Sequence, residues 1–121
     1  MHRLDDLIAT PAACRLVSAE PLLGPLQFDP DKLRQIHWVI AGGESGPGAR
    51  SNNIQWHRDI RDQCKAAKAA FFEKQLRKEP YGKITHGVYA PIKLRDSKGG
   101  DMNEWPEDLR IREYPALLEA K

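Results

Sequence analysis

The segment HWVIAGG, residues 37–43, limits what this chain can fold into more than any other. Trp38, Val39, Ile40 and Ala41 are apolar in succession, without a polar residue at every second place. A strand with one wet face alternates. A strand apolar on both sides is covered on both faces, the pattern of a parallel sheet. RLVSAEP (residues 15–21), stopped by Pro21, and AAFFEK (69–74) read as two further strands, the latter again apolar in a continuous run.

Helical sequence separates these strands. Asp29-Pro30 is a helix start, because the carboxylate caps free N–H groups and a first-turn proline needs no donor. That helix is expected to run to about Ile36, burying Leu33 and Ile36. After the glycine-rich loop GGESGPGARSNN, Asn52 is expected to cap a long helix, with Gln55 in the capping-box place. Trp56, Ile60, Cys64 and Ala67 form its apolar stripe, and Arg58 and Asp62 are placed to pair one turn apart on the solvent side. An earlier helix carries Leu4, Leu7 and Ile8 and ends at Pro11. Helix and strand therefore alternate three times. That order implies a parallel α/β sheet with right-handed connections. Three strands leave apolar edges that something must cover.

The expected organisation is a βαβαβ unit over residues 1–78 and an irregular extension over 79–121 that packs on the same domain. In the extension, GVYAPIKL reads as an edge strand limited by Pro91, and LRIREYP as another short strand. SKGGDMNEWPEDL is a loop with a Gly-Gly turn, and PALLEA a last helical turn. Trp105-Pro106 and Tyr114-Pro115 are expected to anchor the tail to the core.

Composition excludes several classes of function. The formal net charge is +2, evenly spread, so there is no strong electrostatic footprint for nucleic acid. No apolar run is long enough to span a membrane, and the N-terminus has two aspartates where a signal peptide would be apolar. A cytoplasmic location is the expectation. Cys14 and Cys64 lie too far apart for a metal-ligand spacing and read as two buried thiols. No histidine pair has ligand spacing, so no metal site is expected. His37 opens a strand at the opposite rim from the ligand end. His57, in the first helical turn, is expected at the surface near the glycine-rich loop.

In a parallel α/β sheet, ligands bind beyond the carboxyl ends of the strands. Those ends carry Glu20; Gly42, Gly43, Glu44 and Ser45; and Lys74 and Gln75. The loop after Gly43 can place backbone N–H groups on a ligand, and Arg50 can add a bidentate contact to a carboxylate or phosphate. It is neither a P-loop nor a dinucleotide fingerprint, because Ala49-Arg50 stand where Lys and Ser/Thr are needed and the three-glycine spacing is missing. Glu44 suits an amine, hydroxyl or cation better than a phosphate. The alternative is a turn that uses glycine for its backbone alone. Glu20 and Glu44 form a candidate acid–base pair if their strands are neighbours; otherwise each bonds to backbone or to a lysine such as Lys74.

TPAACRLVSAEPLLGPL, WVIAGGESGPGAR, RDQCKAA followed by FFEKQ, and GGDMNEWPEDLRIREYP resemble successive blocks of a phage and bacterial three-cysteine-motif family. Its full-length members resemble radical S-adenosylmethionine proteins. The resemblance implies a partial (β/α) barrel-like parallel sheet, similar to part of a TIM barrel, with these strands in its later half. It implies an iron–sulfur cluster and S-adenosylmethionine in the complete protein, but no cofactor in this chain, which lacks the cysteine cluster. On this reading the chain is a substrate-side portion, inert alone, whose pocket is lined by Glu20, Glu44, Ser45, Arg50, Lys74 and Gln75. Its partner would be a missing N-terminal half. The alternative is a stand-alone ligand- or nucleic-acid-binding module whose sheet edges a second copy covers, as a homodimer. A decayed prophage remnant is the third reading.

Overall fold

A computed structural model describes residues 14–77, 79–83 and 89–115. The helix expected around Leu4, Leu7 and Ile8 and the turn expected at PALLEA beyond Pro115 lie outside the described residues. The core is a three-stranded sheet of β1 (Leu16–Ala19), β2 (Trp38–Gly42) and β3 (Ala70–Gln75), in the order β1-β2-β3 and parallel throughout. The continuous apolar runs thus form a parallel sheet, and the chain is mixed α/β. The sheet is open, and its described strands do not close into a barrel.

Two helices cross between the strands. In α1 (Pro30–Leu33), the Asp29 carboxylate accepts from the backbone N–H of Asp31 and Lys32, as a capping aspartate should. It stops three residues short of the expected end, although Ile36 is still buried. In α2 (Ile54–Ala67), the cap is Asn53 and not Asn52: the Asn53 side chain accepts from Gln55 N–H. Arg58 does not pair with Asp62. It forks onto Asp108, fifty positions away, with Nε at 2.7 Å and Nη2 at 3.1 Å, while Asp62 pairs with Arg61. A bidentate tertiary contact outcompetes a helix-surface pair worth a few tenths of a kcal/mol, ~0.3–0.5.

Both helices lie on one face of the sheet. Leu33, Ile60 and Cys64 pack there with Val17, Val39, Ala41 and Phe71 in a continuous core. The opposite face is less covered. Leu16 is exposed, and Trp38, Ile40 and Phe72 are half-buried. Tyr114 lies over part of this face, its ring 5.4 Å from Trp38 and 5.7 Å from Phe72. Tyr114 itself is exposed, so the tail's firmest anchor is Trp105, buried and donating Nε1–H to Gly99 O.

The two sheet edges differ. LRIREYP does not form a full strand. It runs antiparallel beside β3, with one bridge between Phe72 and Arg112 and bonds from Glu73 N to Ile111 O and from Glu113 N to Phe71 O. That covers the outer edge of β3. The outer edge of β1 has no strand partner among the described residues. β4 (Tyr81–Lys83) and β5 (Tyr89–Pro91) make a separate antiparallel pair, so the expected edge strand pairs within the extension. A second apolar cluster of Ile54, Leu76, Leu94, Trp105 and Leu109, with 3-10 turns at Met102–Glu104 and Glu107–Leu109, ties the extension to the base of α2. Gly82 is fitted there so closely that a Cβ would lie 2.2 Å from Ile54.

Candidate ligand rim

The carboxyl ends of the strands hold two layers of polar side chains. In the outer layer, Lys74 Nζ donates to Glu20 Oε1 at 2.9 Å, linking the ends of β1 and β3 across β2. Two local features permit this. Gly42 on β2 has no side chain to stand between them: a Cβ there would lie 3.3 Å from Glu20 Cγ and 3.6 Å from Gln75 Cγ. The register also slips after Ala41, which faces Glu73, so that Gly42 faces Gln75 and Lys74 is the extra residue of a bulge. Bulges re-aim side chains at strand ends. Arg112 takes up the carbonyls on the bulged strand's outer side, donating Nε–H to Glu73 O at 3.0 Å and Nη2–H to Lys74 O at 2.9 Å. Gln75, buried, donates Nε2–H to Gly43 O, and Gly43 N–H returns a bond to Gln75 O.

Glu44 and Arg50 do not join this group. Arg50 donates backbone N–H at 2.8 Å and Nε–H at 3.0 Å to Glu44 Oε1, and Nη2–H at 2.7 Å to Oε2. These bonds hold the Glu44 carboxyl down at about 2. The carboxylate expected as a ligand for Arg50 is the loop's own. Gly46 and Gly48, both at positive φ, turn the loop, and Ser45 points no bond at any described residue. Structure therefore brings together Glu20, Gly42, Gly43, Lys74 and Gln75, and sets Glu44, Ser45 and Arg50 apart on the loop.

The inner layer is not legible in the sequence. Asn52, His57 and Glu73 are fully buried. His57, expected at the surface, sits between the other two, its Nε2 2.7 Å from Asn52 Oδ1 and its Nδ1 2.9 Å from Glu73 Oε2. Nδ1 is also 2.7 Å from Oε1, off the line needed for a hydrogen bond, and Oε1 has no other partner. Asn52 Nδ2 donates to Leu76 O at 2.9 Å, which fixes its amide: Oδ1 must face His57. His57 Nε2 therefore carries a hydrogen. The short Nδ1–carboxyl contact then needs one more proton, on His57 or on Glu73. Burial pushes the Glu73 carboxyl up, opposed by His57 beside it. The pair holds one shared proton whichever atom carries it. Gly43 completes the layer, since a Cβ there would lie 2.7 Å from Asn52 Nδ2. Its glycine is required by close packing.

His37 lies at the other end of the sheet, its Nδ1 accepting from Arg15 N–H. Among the described residues no group of three His, Cys, Asp or Glu is placed to hold a metal ion. Cys14 is only half-buried; Cys64 is buried, its thiol pushed up to about 12 by burial. Cys64 therefore offers no thiolate at neutral pH, and two cysteines fifty positions apart cannot supply the thiolate set of an iron–sulfur cluster. With its carboxylate committed to Arg50, Glu44 is not free for the amine, hydroxyl or cation expected there.

Residues 1–102 match the family model DUF5131, described as protein of unknown function. No curated protein and no solved structure matches the chain.

Proposed function

The chain belongs to the DUF5131 family, and from that premise and the rim geometry we propose that it is the substrate-side portion of a radical S-adenosylmethionine-like enzyme of phage or prophage type. It would be inert alone, with the cluster supplied by another segment. The observation that carries this reading is the asymmetry of the sheet edges. Strands follow one another in chain order, as in a (β/α) barrel, where each new unit is added beside the last. A preceding unit belongs at the outer edge of β1, which has no strand partner among the described residues. The edge of β3 is closed by residues 111–113, so the complete sheet would be a partial barrel. The Glu20–Lys74 pair would then face the interior at the carboxyl rim, where it can bind a substrate carrying both an acceptor and a donor.

The DNA immediately upstream provides the test. An in-frame segment with three clustered cysteines, expressed together with this chain, should co-purify with it and bind iron. Cleavage of S-adenosylmethionine by the purified chain alone would defeat the proposal. A second reading, a binding module that dimerises through the β1 edge, is favoured by the exposed Leu16 and Leu23. Light scattering separates the two, since the module should be a dimer without any partner.

A further inference from the structure

A second site lies beyond the rim and does not depend on the preceding reading. A cleft of about 430 Å³ opens between residues 46–49 of the glycine-rich loop and Ser97, with Arg77 and Glu79 in its wall. Arg77 has φ 75, a backbone conformation that favours glycine. It is held there by Leu76 N–H bonding Gly99 O and Arg77 N–H bonding Lys98 O, both at 2.9 Å. Gly99 presses on it from the other side, where a Cβ would lie 2.0 Å from Arg77 O. Strain of this kind persists only where the surroundings enforce it, and it clusters at ligand sites.

Arg77 is half-buried, and its guanidinium makes no hydrogen bond or ion pair with any described residue. The nearby acid, Glu44, is already occupied by three bonds from Arg50. Gly46 and Gly48 add open backbone, with no atom within 4 Å of where a Cβ would stand. An arginine with its backbone held and no side-chain partner among the described residues is a fork for an oxyanion. Glu79 and Ser97 also line the cleft, and a carboxylate and a hydroxyl there can accept from the hydroxyl groups of a polyol, partners that inorganic phosphate does not use. The geometry points to a binding site for the phosphate monoester of a small polyol, with the phosphate on Arg77 and hydroxyls on Glu79 and Ser97. The cleft's volume lies within the usual range for small-molecule sites, roughly 300–1,000 Å³.

Ribose 5-phosphate, titrated into the full chain and followed through the Gly46 and Gly48 amide resonances, tests this. Saturable binding is expected, weaker for inorganic phosphate and absent for ribose. Arg77→Gly should weaken binding at least about tenfold while leaving Tm unchanged or raised, because glycine accepts this φ without strain. Arg77→Asn, which also tolerates the left-handed region, serves if the glycine variant misfolds. Arg95→Gln, removing an exposed arginine elsewhere, should change nothing. The site is refuted by unsaturable shifts, by wild-type affinity in Arg77→Gly or Arg77→Asn, or by an equal loss in Arg95→Gln. Inorganic phosphate binding as tightly as the sugar phosphate would refute the polyol assignment.

Discussion

Glu20 and Glu73 both stand at the carboxyl end of a parallel strand, and each carboxylate faces a basic side chain, yet their settings are opposite. Glu20 meets Lys74 with the two side chains 25% and 51% exposed. Glu73 meets His57 with both at 0%. Water already solvates the first pair, so the fold gains little from it and a ligand can displace it at small cost. The second pair has lost its water and must satisfy itself internally, through Asn52 and the carbonyl of Leu76. The outer layer is free to exchange its partners at little cost to the fold; the inner one fixes where the rim stands.

The largest test of this contrast is Glu73→Ala. Removing the carboxylate strands the His57 Nδ1 in a dry site and opens a cavity. Loss of one member of a buried pair typically costs about 3–5 kcal/mol, which a urea midpoint should register. Glu73→Gln sharpens the comparison. A glutamine amide can donate to Nδ1 of a neutral His57 and leave the Asn52 bond intact, so it should fold nearly as well as wild type at neutral pH. Equal damage from both substitutions would mean that charge, and not a hydrogen bond, holds the layer.

Much of this contrast was invisible in the sequence, for a physical reason. What could be read was local or compositional: continuous apolar runs at Trp38–Ala41 and Ala69–Phe72, the Asp29 cap before Pro30, the stripe through Ile60 and Cys64. What could not be read depends on partners far along the chain. The capping template fits Asn52 and Asn53 almost equally, and the choice is made by Leu76 O, twenty-four positions away. His57 looks like an ordinary first-turn histidine until β3 brings Glu73 against it. Neither the bulge at Lys74 nor the positive φ at Arg77 has a glycine to announce it. Of the rim residues, those at strand ends converge because the strands are parallel and in register; the loop residues Glu44 and Arg50 satisfy each other because short loops bring neighbours together first.

The shared proton yields an effect of intermediate size. Glu73 is raised in the folded chain, so its own contribution is present below the ordinary glutamate value of about 4.3 and is lost as pH rises through the folded value. An unfolded chain keeps one proton on an ordinary histidine up to about pH 6.5, which offsets that loss until then. Above that, folding must take up the proton, and stability should decline by up to about 1.4 kcal/mol per pH unit. Urea unfolding at constant ionic strength should show this slope in wild type and its disappearance in Glu73→Gln. A slope unchanged in Glu73→Gln would place the proton elsewhere.

The smallest expected effect is that of Lys74→Ala. Its salt bridge to Glu20 is exposed, and such pairs contribute about 0–1 kcal/mol, less at high salt. The bulge that carries Lys74 is held by its carbonyl on Arg112, a bond the substitution leaves in place. A urea midpoint within about 1 kcal/mol of wild type, converging with it as salt rises, would mark the outer layer as energetically free of the fold. A loss comparable to that of Glu73→Ala would instead make Lys74 part of the fold's support, and the two layers of the rim would have to be regarded as one.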